Sequence, residues 1–249
     1  MENAPVIRIV ARRFQPEYEE RQLKWFLEAY APLFITVPGY EEIEHYHIFK
    51  ENPQYNKNLT IYHFENWSQQ LKTRSDQRVK DISKDVETTW ASRSETVWYV
   101  HYAQIASFKK DLTNPGGNSV PESKNSRIIH LEGYTFPNPE QETFDTWFNK
   151  LGKELFIPLL MKSTDLREYA QYRLIEDTWK GVGDVYRTKR PVEYPTYLSI
   201  LTFDNINSFE NYEKSLELAA FRYALNLTFP GVLDYKWYVQ YQLIKSFRK

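Results

Sequence analysis

Apolar positions in the first half of the chain follow two alternating patterns. Residues 6–14 are rich in β-branched side chains, which predicts a strand. From Pro16 onward, apolar residues recur at intervals of three and four as far as Phe34, which predicts a helix that the Pro38-Gly39 pair ends. The remaining patterns predict strands over 43–49, 59–64 and 96–108 and a polar helical stretch over 67–90. The order of elements is therefore β-α-β-β-α-β.

The second half of the chain repeats this order. Residues 237–249 match residues 98–110 at eight of thirteen positions, at an offset of 139, which indicates a tandem duplication of one βαββαβ unit. The patterns in this half predict strands over 127–136, 166–175, 196–203 and 233–247, and helices over 139–161 and 207–226. We place the repeats at 1–112 and 126–249, because residues 113–125 have the proline, glycine and asparagine content of a linker.

The second repeat is predicted to contain an insertion. Tyr46 and Tyr169 align at an offset of 123, whereas later landmarks align at 139, which places sixteen additional residues at about 177–192. This segment mixes glycines, aromatic residues and basic residues. It fits either an exposed hairpin or a lid beside a cavity.

Two βαββαβ units predict an α+β fold. Each unit forms a ferredoxin-like antiparallel sheet with helices on one face, and the bare opposite face must be covered. The predicted fold class is therefore two ferredoxin-like repeats packed sheet to sheet as an intramolecular dimeric α/β barrel. In element order and duplication, nearly the whole chain resembles the dimeric α/β-barrel superfamily, which includes antibiotic-biosynthesis monooxygenases and EthD-like and NIPSNAP-like proteins.

This resemblance implies a function as well as a fold. It implies that a small aromatic or polyketide-like molecule is bound, and transformed, in a barrel cavity without a bound cofactor. The implied chemistry is cofactor-independent oxygenation or acid/base-driven cyclisation. The chain carries no catalytic motif specific to these families, so the alternative is a non-catalytic small-molecule-binding or interaction protein whose barrel is filled by side chains.

Composition narrows the range of partners and chemistries. Thirty-two basic and thirty-three acidic residues, with a pI near 6.5, disfavour nucleic acid and anionic membranes as partners. The absence of cysteine excludes thiol nucleophiles, disulfides and cysteine-ligated metals. The N-terminal residues lack the pattern of a signal peptide, so a cytoplasmic location is expected. The expected oligomeric state is a monomer or a weak homodimer. Aromatic residues make up 16% of the chain, which suits a large core or an apolar cavity with hydrogen-bonding groups.

Alternation in matching strands predicts which residues share a face. Ile7, Ile9 and Ala11 are apolar and small, as are their counterparts in the second repeat, so we predict that this face packs against the helices. The opposite face of the first strands and one face of the last strands are predicted to point into the barrel. They carry Arg8, Arg12, His130, Glu132 and Tyr134, and His101 and Gln240, respectively.

Roles for these residues follow from their chemistry. His130 or His101 is the predicted general base, because imidazole titrates near neutral pH, and Glu132 would orient it. Arg8 and Arg12 would stabilise an enolate or phenolate. The remaining predicted substrate-binding residues are Tyr62, Tyr134, Gln240 and His45. The alternative for Arg8, Arg12 and Glu132 is a structural ion-pair network that joins the repeats.

A metal site is a weaker hypothesis. His45 and His47 lie on one face of a predicted strand, at a spacing compatible with shared ligation, but a third ligand from His63 or His101 would be needed. Two histidines on an edge strand are more often solvated or hydrogen-bonded. We therefore predict neither a metal nor another cofactor.

Overall fold

The computed structural model describes residues 3–50, 52–90, 92–110, 127–136, 140–175, 193–229 and 234–249. The first half contains β1 (Val6–Phe14), α1 (Pro16–Trp25), a π-helical segment (Phe26–Tyr30), α2 (Ala31–Phe34), β2 (Tyr40–Ile48), β3 (Asn58–Phe64), α3 (Trp67–Ser75), α4 (Gln77–Trp90) and β4 (Ser94–Lys109). The second half contains β5 (Ile128–Thr135), α5 (Glu140–Trp147), a π-helical segment (Phe148–Phe156), α6 (Ile157–Ser163), β6 (Glu168–Leu174), β7 (Tyr197–Phe203), α7 (Ile206–Lys214), α8 (Leu216–Thr228) and β8 (Asp234–Arg248). The predicted order of elements is confirmed, and the predicted linker and insertion lie outside the described residues.

The eight strands form a closed antiparallel barrel in the order β1-β3-β2-β8-β5-β7-β6-β4. This arrangement confirms the predicted α+β fold class. By its contacts the chain divides into two compact units. The first unit comprises Met1–Gln104, Leu174–Tyr194 and Leu243–Lys249, and the second comprises Ile105–Arg173 and Pro195–Gln242. The repeat boundaries taken from the sequence stay a prediction.

The first helical stretch of each unit widens into a π-helical segment at the same place. Pro32 follows the segment Phe26–Tyr30, and Pro158 follows Phe148–Phe156. A proline ring clashes with the carbonyl four residues earlier and donates no backbone hydrogen bond, so a wider turn before it relieves the clash. Among the helices of the described residues, none combines the length and the apolar content that a membrane span needs.

A β-bulge recurs at matching positions in the two units. The pairing of β1 with β4 shifts between Ala11 and Arg12, and the pairing of β5 with β8 shifts between Gly133 and Tyr134. A Cβ on Gly133 would lie 2.6 Å from a side-chain carbon of Pro195, so only glycine fits there. The duplication therefore extends to irregularities of the backbone.

Strand pairing corrects the alignment of the second strands in the two repeats. Thr60 pairs with His45, whereas Ser199, which is 139 residues beyond Thr60, pairs with Gln171. The counterpart of His45 is therefore Gln171, at an offset of 126. The sequence-based match of Tyr46 with Tyr169, at 123, is wrong, and the offset that follows β6 grows by thirteen residues, not sixteen.

The helices of the first unit cover the face of the sheet that was predicted to be bare. Val6 and its cross-strand partner Phe64 pack with Phe34 and Val86 from the helices. In the second unit, Ile128 and other residues on the same face of β5 pack in one core with residues of α5 and α6. The prediction that the Ile7 face packs on the helices is therefore wrong. Ile7 and Val6 are equally buried, so apolarity could not distinguish the faces.

Candidate functional site

A cavity of about 360 Å³ lies in the first unit, between the sheet and its helices. The strands line it with Arg8, Val10, Arg12, Phe14, His45, Asn58, Thr60, Tyr62 and Tyr99. The helical segments line it with Gln22, Trp25, Phe26, Tyr30, Phe34, Arg74, Val79, Lys80, Ser83, Lys84, Val86 and Glu87. Small-molecule sites typically enclose roughly 300–1,000 Å³, so this cavity has room for a small organic ligand.

Arg8 is the buried charge of this cavity. Its side chain extends from β1 and donates hydrogen bonds to the hydroxyl groups of Tyr40 (3.1 Å) and Tyr99 (3.5 Å). Its guanidinium carbon lies 4.1 Å from the centre of the Tyr62 ring, a cation–π contact. The residue is 7% exposed, and its Nε has no hydrogen-bond partner among the described residues.

The guanidinium of Arg8 remains charged. Burial by itself lowers the pKa of Arg8, but the oxygens of Tyr40, Tyr99 and Tyr62 act in the opposite direction, and the net direction is upward. No carboxylate of the described residues lies within ion-pair distance of this guanidinium. A buried cation without an anion is unfavourable, because tyrosine dipoles and ring faces replace its lost hydration only in part.

The described lining residues give the cavity an excess of positive charge. Its cations are Arg8, Arg12, Arg74, Lys80 and Lys84, and its acidic residue is Glu87. Burial lowers the pKa of Arg74, and the charge of Arg8 also lowers it. The electrostatic potential in the cavity therefore favours an anionic ligand.

Aromatic rings form one wall of the cavity. The π-helical segment and α2 bring Phe26, Tyr30 and Phe34 to the same side, where Tyr30 stacks on Phe34 with a centroid distance of 4.3 Å. The rings of Phe26 and Tyr30 are 5.4 Å apart. Such a wall accepts a flat, apolar group.

His45 offers an uncharged hydrogen-bonding group to the cavity. Its Nδ1 lies 3.0 Å from Oγ1 of Thr60, and its Nε2 has no hydrogen-bond partner among the described residues. Burial and, to a lesser extent, the neighbouring His47 lower the pKa of His45 to about 3. The imidazole is therefore neutral at physiological pH, and its ring packs 4.8 Å from that of Phe26.

His101 lies beside Arg8 but does not line the cavity. It is the cross-strand partner of Arg8, which confirms that the two residues share a face. Neither ring nitrogen has a hydrogen-bond partner among the described residues. Burial, followed by the charges of Arg8 and Arg74, holds its pKa well below the ordinary value. This environment disfavours the role of general base, which needs a pKa near the working pH.

His130 and Glu132 belong to the second unit. Nε2 of His130 lies 3.1 Å from a carboxylate oxygen of Glu132, and its Nδ1 lies 2.8 Å from the amide nitrogen of Gln240. This arrangement fits an imidazole that donates to Glu132 and accepts from Gln240. The prediction that Arg8, Arg12, His130 and Glu132 point into the barrel is wrong, because each set faces the helices of its own unit.

Tyr134 lies in a hydrogen-bonded cluster of the second unit. Its hydroxyl donates to Oε1 of Gln171 at 2.9 Å. The hydroxyl of Ser199 donates to the same oxygen at 2.8 Å, and that of Tyr169 donates to it as well. Four buried polar side chains thus satisfy one another.

Three side chains on the first unit's sheet could together hold a metal ion. Glu42, Glu44 and His63 place their ligand atoms within 4.8 Å of one another. Nε2 of His63 is 2.9 Å from Glu44, whereas Glu42 accepts from Arg248. Glu44 and His45 are adjacent in β2, so their side chains point to opposite faces of the sheet, and His63 lies on the face of Glu44. His63 is therefore not placed to supply the third ligand of the hypothetical His45 and His47 metal site.

Sequence reasoning missed part of the site. Tyr40 precedes the predicted second strand, and Phe26 and Phe34 were interpreted only as the apolar side of a helix. Thr60 drew no attention because its importance depends on pairing with His45. Tyr99 could have been found, because it alternates onto the same face as His101.

Comparisons with known proteins concern the fold. No protein-family model matches the chain, and no curated protein sequence matches it either. The structure of a proposed monooxygenase of Fusobacterium nucleatum is similar, with a TM-score of 0.64 and 9% identity over all of this chain and 96% of that one. An anthrone oxidase-like protein matches with a TM-score of 0.58 and 11% identity, over all of this chain and 94% of that one.

A third similar structure gives the same result. A proposed monooxygenase of Lactobacillus acidophilus matches with a TM-score of 0.57 and 11% identity, over 98% of this chain and 96% of that one. Identities this low show the fold and leave the function to be argued from the site. The chain therefore has the fold of the dimeric α/β-barrel superfamily, with both ferredoxin-like repeats in one polypeptide.

Proposed function

We propose that the protein binds a small aromatic anion in the cavity of the first unit. The observation that carries this proposal is the buried guanidinium of Arg8, which faces an aromatic-lined cavity and has no carboxylate partner among the described residues. A carboxylate or phenolate at this position would accept from the unpartnered Nε of Arg8. The ligand's rings would pack against Phe26, Tyr30 and Phe34.

The ion-pair network considered as an alternative has less support. Arg8 donates to tyrosine hydroxyls, and Glu132 is bound to His130, so these two residues do not neutralise each other. A scaffold with no ligand would leave the charge of Arg8 buried for no gain in stability, since replacing a buried ion by apolar groups is often neutral or stabilising. Ligand binding gives that charge a function.

Chemical transformation of the bound molecule is a second candidate function. An anthrone oxidase-like protein and two proposed monooxygenases share the fold. The guanidinium of Arg8 would stabilise negative charge on an enolate or phenolate oxygen, as cofactor-independent oxygenation or cyclisation requires. However, the neutral His45 and His101 have pKa values too low for an efficient general base at neutral pH. Binding is therefore the function that the site supports best.

The test compares a charged probe with an uncharged one of similar shape. Calorimetry should show that 2-naphthoate binds more tightly than 2-naphthamide, and Arg8→Met should remove that preference. A hydrogen bond to a charged group contributes about 1.5–3 kcal/mol, so the carboxylate should lose about 10- to 150-fold in affinity. Lys214→Met, which removes an exposed charge of the second unit, is the matched control. Equal affinities for both probes, or no binding of either, would contradict the proposal.

A further inference from the structure

The two units carry the same pair of polar positions on their second and third strands. In the first unit His45 pairs with Thr60, and in the second Gln171 pairs with Ser199. In both units the side chains of the pair are in hydrogen-bond contact, at 3.0 Å and 2.8 Å respectively. The second unit therefore shows how the hydrogen-bonding groups of this pair are satisfied when only other side chains of the protein surround them.

In the second unit, the phenol group of a tyrosine forms hydrogen bonds with this pair. The hydroxyl of Tyr134 donates to Oε1 of Gln171 at 2.9 Å and lies 3.3 Å from Oγ of Ser199. Tyr134 occupies the β5 position that matches Arg12 in β1, since both follow the bulge of their strand. No phenol can reach His45 from that position in the first unit, because the residue there is an arginine.

In the first unit, the same position opens into the cavity. His45 is 3% exposed and lines the cavity, and its Nε2 has no hydrogen-bond partner among the described residues. An unsatisfied buried polar group costs free energy, because folding removes its hydrogen bonds to water. A ligand group that bonds to Nε2 would recover this free energy.

We infer that the ligand of the first unit carries a phenolic hydroxyl, which bonds to Nε2 of His45 as the hydroxyl of Tyr134 bonds to Gln171 in the second unit. The inference rests on the proposed function, because it adds a second polar group to the same aromatic anion. His45 and Thr60 thus act as specificity-determining residues, and Arg8 holds the negative charge. The substrate class becomes hydroxylated aromatic acids or polyphenolic anions.

A hydroxyl fits this position better than a carbonyl, which only accepts, or an ammonium group, which only donates. Thr60 can donate to Nδ1 of His45, which leaves a proton on Nε2, or it can accept from Nδ1, which leaves a lone pair there. A hydroxyl both donates and accepts, so it satisfies either tautomer. The low pKa of His45 keeps the ring neutral, so it does not select for a second negative charge.

The test uses 2-naphthoate and 6-hydroxy-2-naphthoate as probes. Calorimetry should show that the wild-type protein binds the hydroxylated compound about 2- to 12-fold more tightly, the range expected for one hydrogen bond. His45→Phe should remove this advantage, so that the two probes bind this variant with equal affinity. His45→Gln, which introduces the residue that the second unit has at this position, should retain the advantage. The ¹⁵N chemical shift of the His45 Nε2 atom should respond to the hydroxylated probe only.

The outcomes separate this inference from the proposed function. If both probes bind the wild-type protein equally, or if the advantage of the hydroxyl persists in His45→Phe, this inference is wrong and the proposed function stands. If neither probe binds, the proposed function and the inference fail together. A change in the His45 ¹⁵N shift with both probes would also overturn the inference, because it would not depend on the hydroxyl.

Discussion

Acid should destabilise the protein through the buried imidazole of His45. The pKa of this residue is about 3 in the folded protein, against an ordinary value of 6.5. The folded state therefore excludes a proton that the unfolded chain binds below about pH 6.5. The resulting stability is fully present above pH 6.5 and is lost progressively as the pH falls toward 3.

The magnitude follows from the size of the shift. Each unit of pKa corresponds to about 1.4 kcal/mol, so lowering the pH from 7.5 to 5 should cost roughly 2 kcal/mol through His45 alone. The whole shift corresponds to about 5 kcal/mol, which would be reached near pH 3. His101 contributes in the same direction, because burial and Arg8 hold its pKa well below the ordinary value.

Urea unfolding of the wild-type protein and of His45→Gln isolates this contribution. The free energy of unfolding of each protein is measured at several pH values between 5 and 7.5. Carboxylates and His101 titrate in both proteins, so the difference between the two curves belongs to His45. Between pH 7.5 and pH 5, the free energy of unfolding should fall by roughly 2 kcal/mol more in the wild-type protein than in the variant. Parallel curves would show that His45 is accessible to protons in the folded state and would refute the reasoning.

Two further predictions concern the framework around the site. Gly39 has a φ of 98°, and an added Cβ would lie 2.7 Å from the Thr73 methyl carbon and 3.2 Å from the Gln69 carbonyl oxygen. Gly39→Ala should therefore lower the free energy of unfolding, measured by urea titration, by about 1–3 kcal/mol. Gln171→Leu removes the oxygen that accepts hydrogen bonds from three buried hydroxyls. It should lower the free energy of unfolding by at least about 1–3 kcal/mol, which thermal unfolding would show as a lower melting temperature. An unchanged melting temperature would mean that water replaces the amide.

Much of the fold could be predicted because the chain contains two copies of the same βαββαβ unit, and their patterns could be compared. Strand β1 was predicted with the bounds that the structure has, and the helical stretch over 67–90 was correct apart from the break at Asp76. The face of β1 was assigned wrongly for a physical reason. Both faces of this strand are buried, and a cavity on the side of the helices accommodates Arg8. The polar face is therefore the face that packs toward the helices, although its polarity predicts that it points away from them.

Individual site residues were easier to predict than their grouping. Arg8, Arg12, Tyr62 and His45 were singled out, and the structure places all four around one cavity. His130 and Glu132 were grouped with them because alternation shows which residues share a face but not which helices cover it. The importance of the His45 and Thr60 pair depends on strand register, and the alignment error of three residues hid Gln171 as its counterpart.

A crystal structure of the complex with 2-naphthoate tests the central claim most directly. Density for the naphthalene ring should lie against Phe26, Tyr30 and Phe34, with a carboxylate oxygen within hydrogen-bond distance of Nε of Arg8. The predicted result is one molecule in the cavity of the first unit. A ligand bound elsewhere, or a cavity without ligand density at concentrations that saturate the protein in calorimetry, would contradict the claim that this cavity binds aromatic anions.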